Sequence, residues 1–92
     1  MAYDIRPHSS FERPFSRLAH NVQKRIVEKL ELLAGHPEII GSPMKNLPAD
    51  LRGLHKIRVG QWRVFFWVDH GKHEITPYNV DNRDKVYKLL RK

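Results

Sequence analysis

Two runs rich in β-branched and aromatic residues, Leu54 to Val59 and Trp62 to Val68, are separated only by Gly60 and Gln61. So short a link leaves one arrangement, an antiparallel hairpin, because parallel neighbours need a crossover of a dozen or more residues. Glycine first in a two-residue loop suits a type II′ turn, which requires positive φ there. With Gly60 and Gln61 in the loop, Val59 faces Trp62, Arg58 faces Arg63, Ile57 faces Val64, and Lys56 faces Phe65. Alternation of side chains then sorts the hairpin into two faces. His55, Ile57, Val59, Trp62, Val64, Phe66 and Val68 make an apolar face suited to a core. Leu54, Lys56, Arg58, Arg63, Phe65 and Trp67 share the other.

The rest of the chain is read around that hairpin. Ala2 to Arg6 alternates weakly and predicts a short strand closed by Pro7. Ser9 and Ser10 are candidate N-caps for a helix carrying Phe11, Phe15, Leu18 and Val22, with Pro14 tolerated in its first turn. Asn21 is placed to cap a second helix with Val22, Ile26, Leu30 and Leu33 on one face, stopped by Gly35 and Pro37. Residues 36–53 hold three prolines and two glycines and read as an irregular connection. A third strand, Glu74 to Val80, follows the turn at 69–72. Pro77 inside it calls for an edge position, a bulge or a short strand. A last helix is expected from Arg83 to Leu90. The order β-α-α-β-β-β-α predicts an α+β fold, a helical hairpin packed on a small antiparallel sheet. With no repeat or linker, residues 1–92 read as a single domain.

Charge is placed unevenly. Residues 1–44 carry six basic and five acidic side chains, whereas 45–92 carry eleven basic and five acidic. A concentrated basic surface makes a polyanion such as nucleic acid the default partner, with solubility alone as the alternative. The chain has no cysteine, which excludes disulfides, thiolate metal sites and cysteine nucleophiles. The N-terminus lacks a signal-peptide core and no apolar run approaches the ~20 residues of a membrane helix, so a cytoplasmic location is expected.

Directly opposed arginines repel by roughly 0.2–1 kcal/mol, and a sheet keeps them most readily with an anion between them. Arg58 and Arg63 either hold such an anion, splay into water, or pair with an acid such as Asp81 or Asp84. Lys56 adds charge to that face. Phe65 and Trp67 are either platforms for stacked bases or core of a sheet covered on both sides. Lys45 and Arg52, in the connection, join them as candidate substrate-binding residues. His55 falls on the apolar face and reads as a core histidine. His70 and His73 flank a turn with no third ligand nearby, and the Asp69/Glu74 and Asp81/Asp84 acids do not form a two-metal set. No metal or cofactor is expected.

The segment LRGLHKIRVGQWRVFFWVD, followed by NRDKVYKLL, resembles the RelE/ParE superfamily of toxins from toxin–antitoxin systems. The likeness extends to NVQKRIVEKLELLAGHP, to the connection PMKNLPADLRGL and to the Arg-x-x-x-Tyr near the end. It implies a type II toxin that cleaves mRNA on the ribosome without a metal, is held inactive by an antitoxin and forms a hetero-oligomer with it. The other branch implies a non-enzymatic module that binds a topoisomerase, or a relic that binds antitoxin or RNA. By the resemblance, Lys56 helps activate the attacking hydroxyl, Arg58 contacts the phosphate and Arg63 stabilises the transition state. Arg83 supports the leaving group, and Tyr87 orients or stacks on substrate. The chain departs from the pattern at Asn82, where many relatives carry histidine, and at Pro14 and Pro77.

Overall fold

The computed structural model describes residues 2–82, so the expected last helix, with Arg83 and Tyr87, lies outside the described residues. In chain order the elements are β1 (Asp4–Ile5), α1 (Ser9–Ser16), α2 (His20–Gly35), β2 (His55–Val59), β3 (Trp62–Asp69) and β4 (Glu74–Asp81). The strands form one sheet in the order β1-β4-β3-β2. The α+β arrangement of two helices on a sheet is as expected, but the sheet is mixed. β1 runs parallel to β4, through Asp4↔Glu74 and Ile5↔Ile75, and the other pairs are antiparallel.

The hairpin has the register read from its loop: Val59↔Trp62, Arg58↔Arg63, Ile57↔Val64 and Lys56↔Phe65. Gly60 has φ +63°, the left-handed value that a type II′ turn requires at its first loop position. Pro77 resolves as a bulge and not as an edge. Phe65 pairs with Asn79 and Phe66 with Pro77, so Tyr78 is the extra residue. Burial along β4 records the slip, since the buried positions Ile75, Pro77 and Val80 are spaced by two and then by three. Missing its N–H, Pro77 still contributes its carbonyl, which accepts a 2.8 Å bond from the His8 amide.

Both helices pack on the same apolar face of the sheet, α1 against β4 and α2 against β1 and β2. Ile26, Leu30, Leu33 and Ala34 of α2 and Phe11 of α1 are buried with Val59, Val64, Phe66, Ile75 and Val80. Phe15 stacks on Phe11 at 5.1 Å, and Gln23 Nε2 donates to the Phe15 carbonyl at 2.9 Å, tying the helices together. The helix starts differ from expectation. His8 caps α1, its Nδ1 accepting from the Ser10 amide at 3.1 Å, while Ser10 Oγ donates to the Tyr78 carbonyl. With α1 starting at Ser9, Pro14 stands in the second turn and not the first. Ala19, not Asn21, occupies the start of α2 and makes no side-chain cap. In both cases the helix starts one or two residues earlier than local capping chemistry suggested.

A second core lies on the opposite side of the sheet. Leu51, Leu54 and Phe65 are buried there, with Met44, Leu47, Trp67 and Tyr78 partly buried around them. The connection covers this half of the face, pinned by a Met44 amide bond to the Leu54 carbonyl at 2.9 Å. Trp67 Nε1 donates to the Arg52 carbonyl at 3.2 Å.

Candidate functional site

The covering connection stops short of the hairpin tip, and what it leaves open is cationic. Lys56 and Arg58 are exposed, and Arg63 is half-buried. The strand order extends the register into a transverse row, Arg58 on β2, Arg63 on β3 and Asp81 on β4, each directly opposite the next. Lys56, Phe65 and Asn79 form the adjoining row. Directly opposite side chains stand ~5 Å apart at Cβ, so three cations and one carboxylate converge on a patch two rows deep. Arg63 Nη1 also reaches the Asn82 carbonyl at 3.4 Å.

The candidates divide unequally. Lys56, Arg58 and Arg63 are brought together. Phe65 is corrected as a stacking platform: it is only 1% exposed and belongs to the second core, under Leu51 and Leu54. Trp67 lies on the same face, four residues along β3 from Arg63, or ~13 Å at strand rise. It is half-buried, packed on Tyr78 with centroids 4.9 Å apart and near His8 at 6.1 Å. Lys45 and Arg52 are exposed on the connection, and the Arg52 backbone carries the Trp67 hydrogen bond. Tyr78 and His8 were not anticipated beside Trp67. Tyr78 follows Pro77 onto this face by alternation, and the bulge keeps Asn79 there with it. The sole hint of the bulge in the sequence is the proline.

The histidines and acids elsewhere hold the framework. His55 is 8% exposed and stacks on Phe66 at 5.2 Å and 16°. Burial lowers its pKa from the ordinary 6.5, and the charge of His70 lowers it further. Tyr3 Oη and His70 Nδ1 are 2.8 Å apart, and the His73 ring lies 5.1 Å from the Tyr3 ring. Asp69 Oδ1 accepts from the Lys72 amide at 2.9 Å, closing the β3–β4 turn. Glu74 pairs with Arg6 at 2.9 Å. Among the described residues no group of three or more His, Asp or Glu side chains is placed to hold a metal ion. No described helix is long and apolar enough to cross a membrane.

An anion binding at this patch would meet positive charge held in register on paired strands. That is the arrangement that stabilises charge developing on a phosphate. No model of a known protein family matches the chain. It is 28% identical over 88 residues to the toxin RelE of Mycobacterium tuberculosis, covering 95% of this chain and 88% of that one. Its fold superposes on the RelBE toxin–antitoxin complex of the same organism with a TM-score of 0.75, at 23% identity, over 90% of this chain and 100% of that one. A free E. coli RelE toxin variant matches at TM-score 0.76 and 19% identity, over 99% of this chain and 96% of that one. The archaeal RelE–RelB complex of Pyrococcus horikoshii matches at 0.69 and 20%, over 92% and 99%. The resemblance read from the hairpin and its flanks thus holds along nearly the whole chain, and the fold is that of the RelE toxins.

Proposed function

We propose that this RelE-like chain is the toxin of a toxin–antitoxin pair and an endoribonuclease that cuts mRNA on the ribosome. The observation that carries the reading is the opposed pair Arg58↔Arg63 with Lys56 in the adjoining row, an unfavourable arrangement that a bound phosphate makes favourable. RNA supplies its own nucleophile, the 2′-hydroxyl, so three tasks remain for the protein. Lys56 is the candidate to take the 2′-hydroxyl proton. The freed 2′-oxygen attacks phosphorus, and the bond to the 5′-oxygen breaks. Arg58 and Arg63 hold the phosphate oxygens as negative charge builds on them. The departing 5′-oxygen takes a proton, a step the resemblance assigns to the neighbourhood of Arg83. The products are a 2′,3′-cyclic phosphate and a 5′-hydroxyl.

The partner in this reading is a small antitoxin, as in the RelBE and RelE–RelB complexes of the relatives. An apolar cleft of about 240 Å³ supports it, lined by Phe11, Phe15, Val27 and Leu30 between the helices and by Ile5 and Pro77 below. Val27 is 42% exposed at its mouth. Such a cleft accepts the apolar side of a partner helix.

Expression in a translating system tests the activity. Protein synthesis should stop, and primer extension should map breaks inside translated codons. Arg58→Ala and Arg63→Ala should each relieve toxicity while the variants stay folded. Intact mRNA with persistent DNA damage would assign the chain to topoisomerase inhibition instead, and full toxicity of both variants would remove the phosphate site.

A further inference from the structure

The β2–β3 turn has a neighbour that the sheet face does not include. The guanidinium of Arg25, in the first half of α2, lies against Gly60. Its Nη1 and Nη2 are each 3.5 Å, and its Cζ 3.8 Å, from where a side chain on Gly60 would begin. Gly60 is needed for its φ of +63°, and the guanidinium lies beside it at the distance of an ordinary van der Waals contact. Arg25 is exposed, and among the described residues its side chain makes no ion pair or hydrogen bond. Glu28 is three residues further along the helix, a spacing that commonly forms an ion pair, yet no pair forms. Arg25 is turned toward the hairpin tip instead.

Arg58 precedes Gly60 by two residues and Arg63 follows it by three, so the tip stands between that pair and Arg25. Arg58 and Arg63 face outward from the sheet, and Arg25 approaches from the helix side. We propose that Arg25 is a further phosphate-contacting residue. RNA backbone would pass from the Arg58/Arg63 row around Gly60 to the first half of α2. The inference rests on the RNA reading above and extends that site beyond the sheet. Guanidinium suits the role, because its planar fork grips phosphate oxygens two at a time and keeps its charge at any physiological pH.

The test is fluorescence anisotropy of the full chain with a fluorescein-labelled oligoadenylate of about ten nucleotides, titrated across a range of salt. Each phosphate contact on a single strand contributes about 0.7 to the log–log salt slope. Arg25→Ala should reduce the slope by about that amount and weaken binding about 3- to 10-fold at low salt. Arg25→Lys should restore the slope, since the slope counts charges, and Arg25→Glu should bind more weakly than Arg25→Ala. Exposure of the side chain predicts unchanged melting for all three variants. If Arg25→Ala keeps the wild-type slope and affinity while Arg58→Ala and Arg63→Ala lose both, Arg25 faces a protein partner or solvent. The inference then fails and the RNA reading stands. If the wild type shows no salt-dependent binding, both fail together.

Discussion

The opposed arginines should make the protein less stable than it needs to be, and Arg58→Gln measures by how much. Arg58 stands opposite Arg63 and at the edge of the sheet, whereas Arg63 stands between Arg58 and Asp81. Removing the charge at 58 therefore deletes a repulsion and leaves the Arg63–Asp81 attraction in place. Two guanidinium charges ~7 Å apart in water repel by about 0.6 kcal/mol, inside the roughly 0.2–1 kcal/mol range for like charges directly opposed. Domains of this size shift by about 4–8 °C per kcal/mol, so the melting temperature should rise by about 2–5 °C in dilute buffer. In ~1 M salt the screening length drops to ~3 Å and the gain should nearly vanish. Arg63→Gln removes the repulsion and the attraction together and should be close to neutral. Differential scanning calorimetry at two salt concentrations reads all four values. A lower melting temperature for Arg58→Gln in dilute buffer, or a gain of equal size in high salt, would refute the reasoning.

Two further outcomes follow from the buried residues. Phe65→Ala should cost ~3–5 kcal/mol in denaturant unfolding, because it empties the second core, and Phe65→Leu should retain most of the stability. Near-normal stability of the alanine variant would return Phe65 to the surface. For His55 the native pKa lies below 6.5, so the unfolded chain takes up the proton first as acid is added. Its contribution is therefore complete above the ordinary value and is lost as the pH falls through 6.5 toward the lowered one. His55→Phe should flatten the decline in melting temperature between about pH 7.5 and 5.5, and an unchanged decline would exclude His55 as a cause.

The parts legible in the sequence were those fixed by short-range geometry. A two-residue loop beginning with glycine permits one register, and that register alone paired Arg58 with Arg63 and separated them from Ile57 and Val64. The parallel pairing of β1 with β4 was not legible, since nothing near Asp4 or Ile5 encodes a partner some seventy residues away. Phe65 was ambiguous for a related reason. Its alternation gave the face, but whether that face was covered depended on Met44, Leu47 and Leu51 in a connection without periodicity. Serines near the start of α1 are good caps in isolation. His8 took the position because its amide was already bonded to Pro77 and its ring could turn to Ser10. Of the site, the cations were visible and the place of Tyr78 beside Trp67 was not, because it depends on a β3–β4 register that the extra residue in β4 shifts.

The pairing of β1 with β4 also bears on how the chain is made. The first strand to be synthesised waits for the last described one, and α1 packs against that same late strand. Until β4 emerges, β1 and α1 have no sheet to dock on, and the helix-side core lacks Ile75 and Val80. Contacts closing so long a loop form slowly and late, and they do so for β1 and α1 together. A growing or truncated chain that stops before Glu74 can form the cationic hairpin but cannot dock β1 and α1. By this topology the cationic patch gains its full support only when the two ends of the described chain have met.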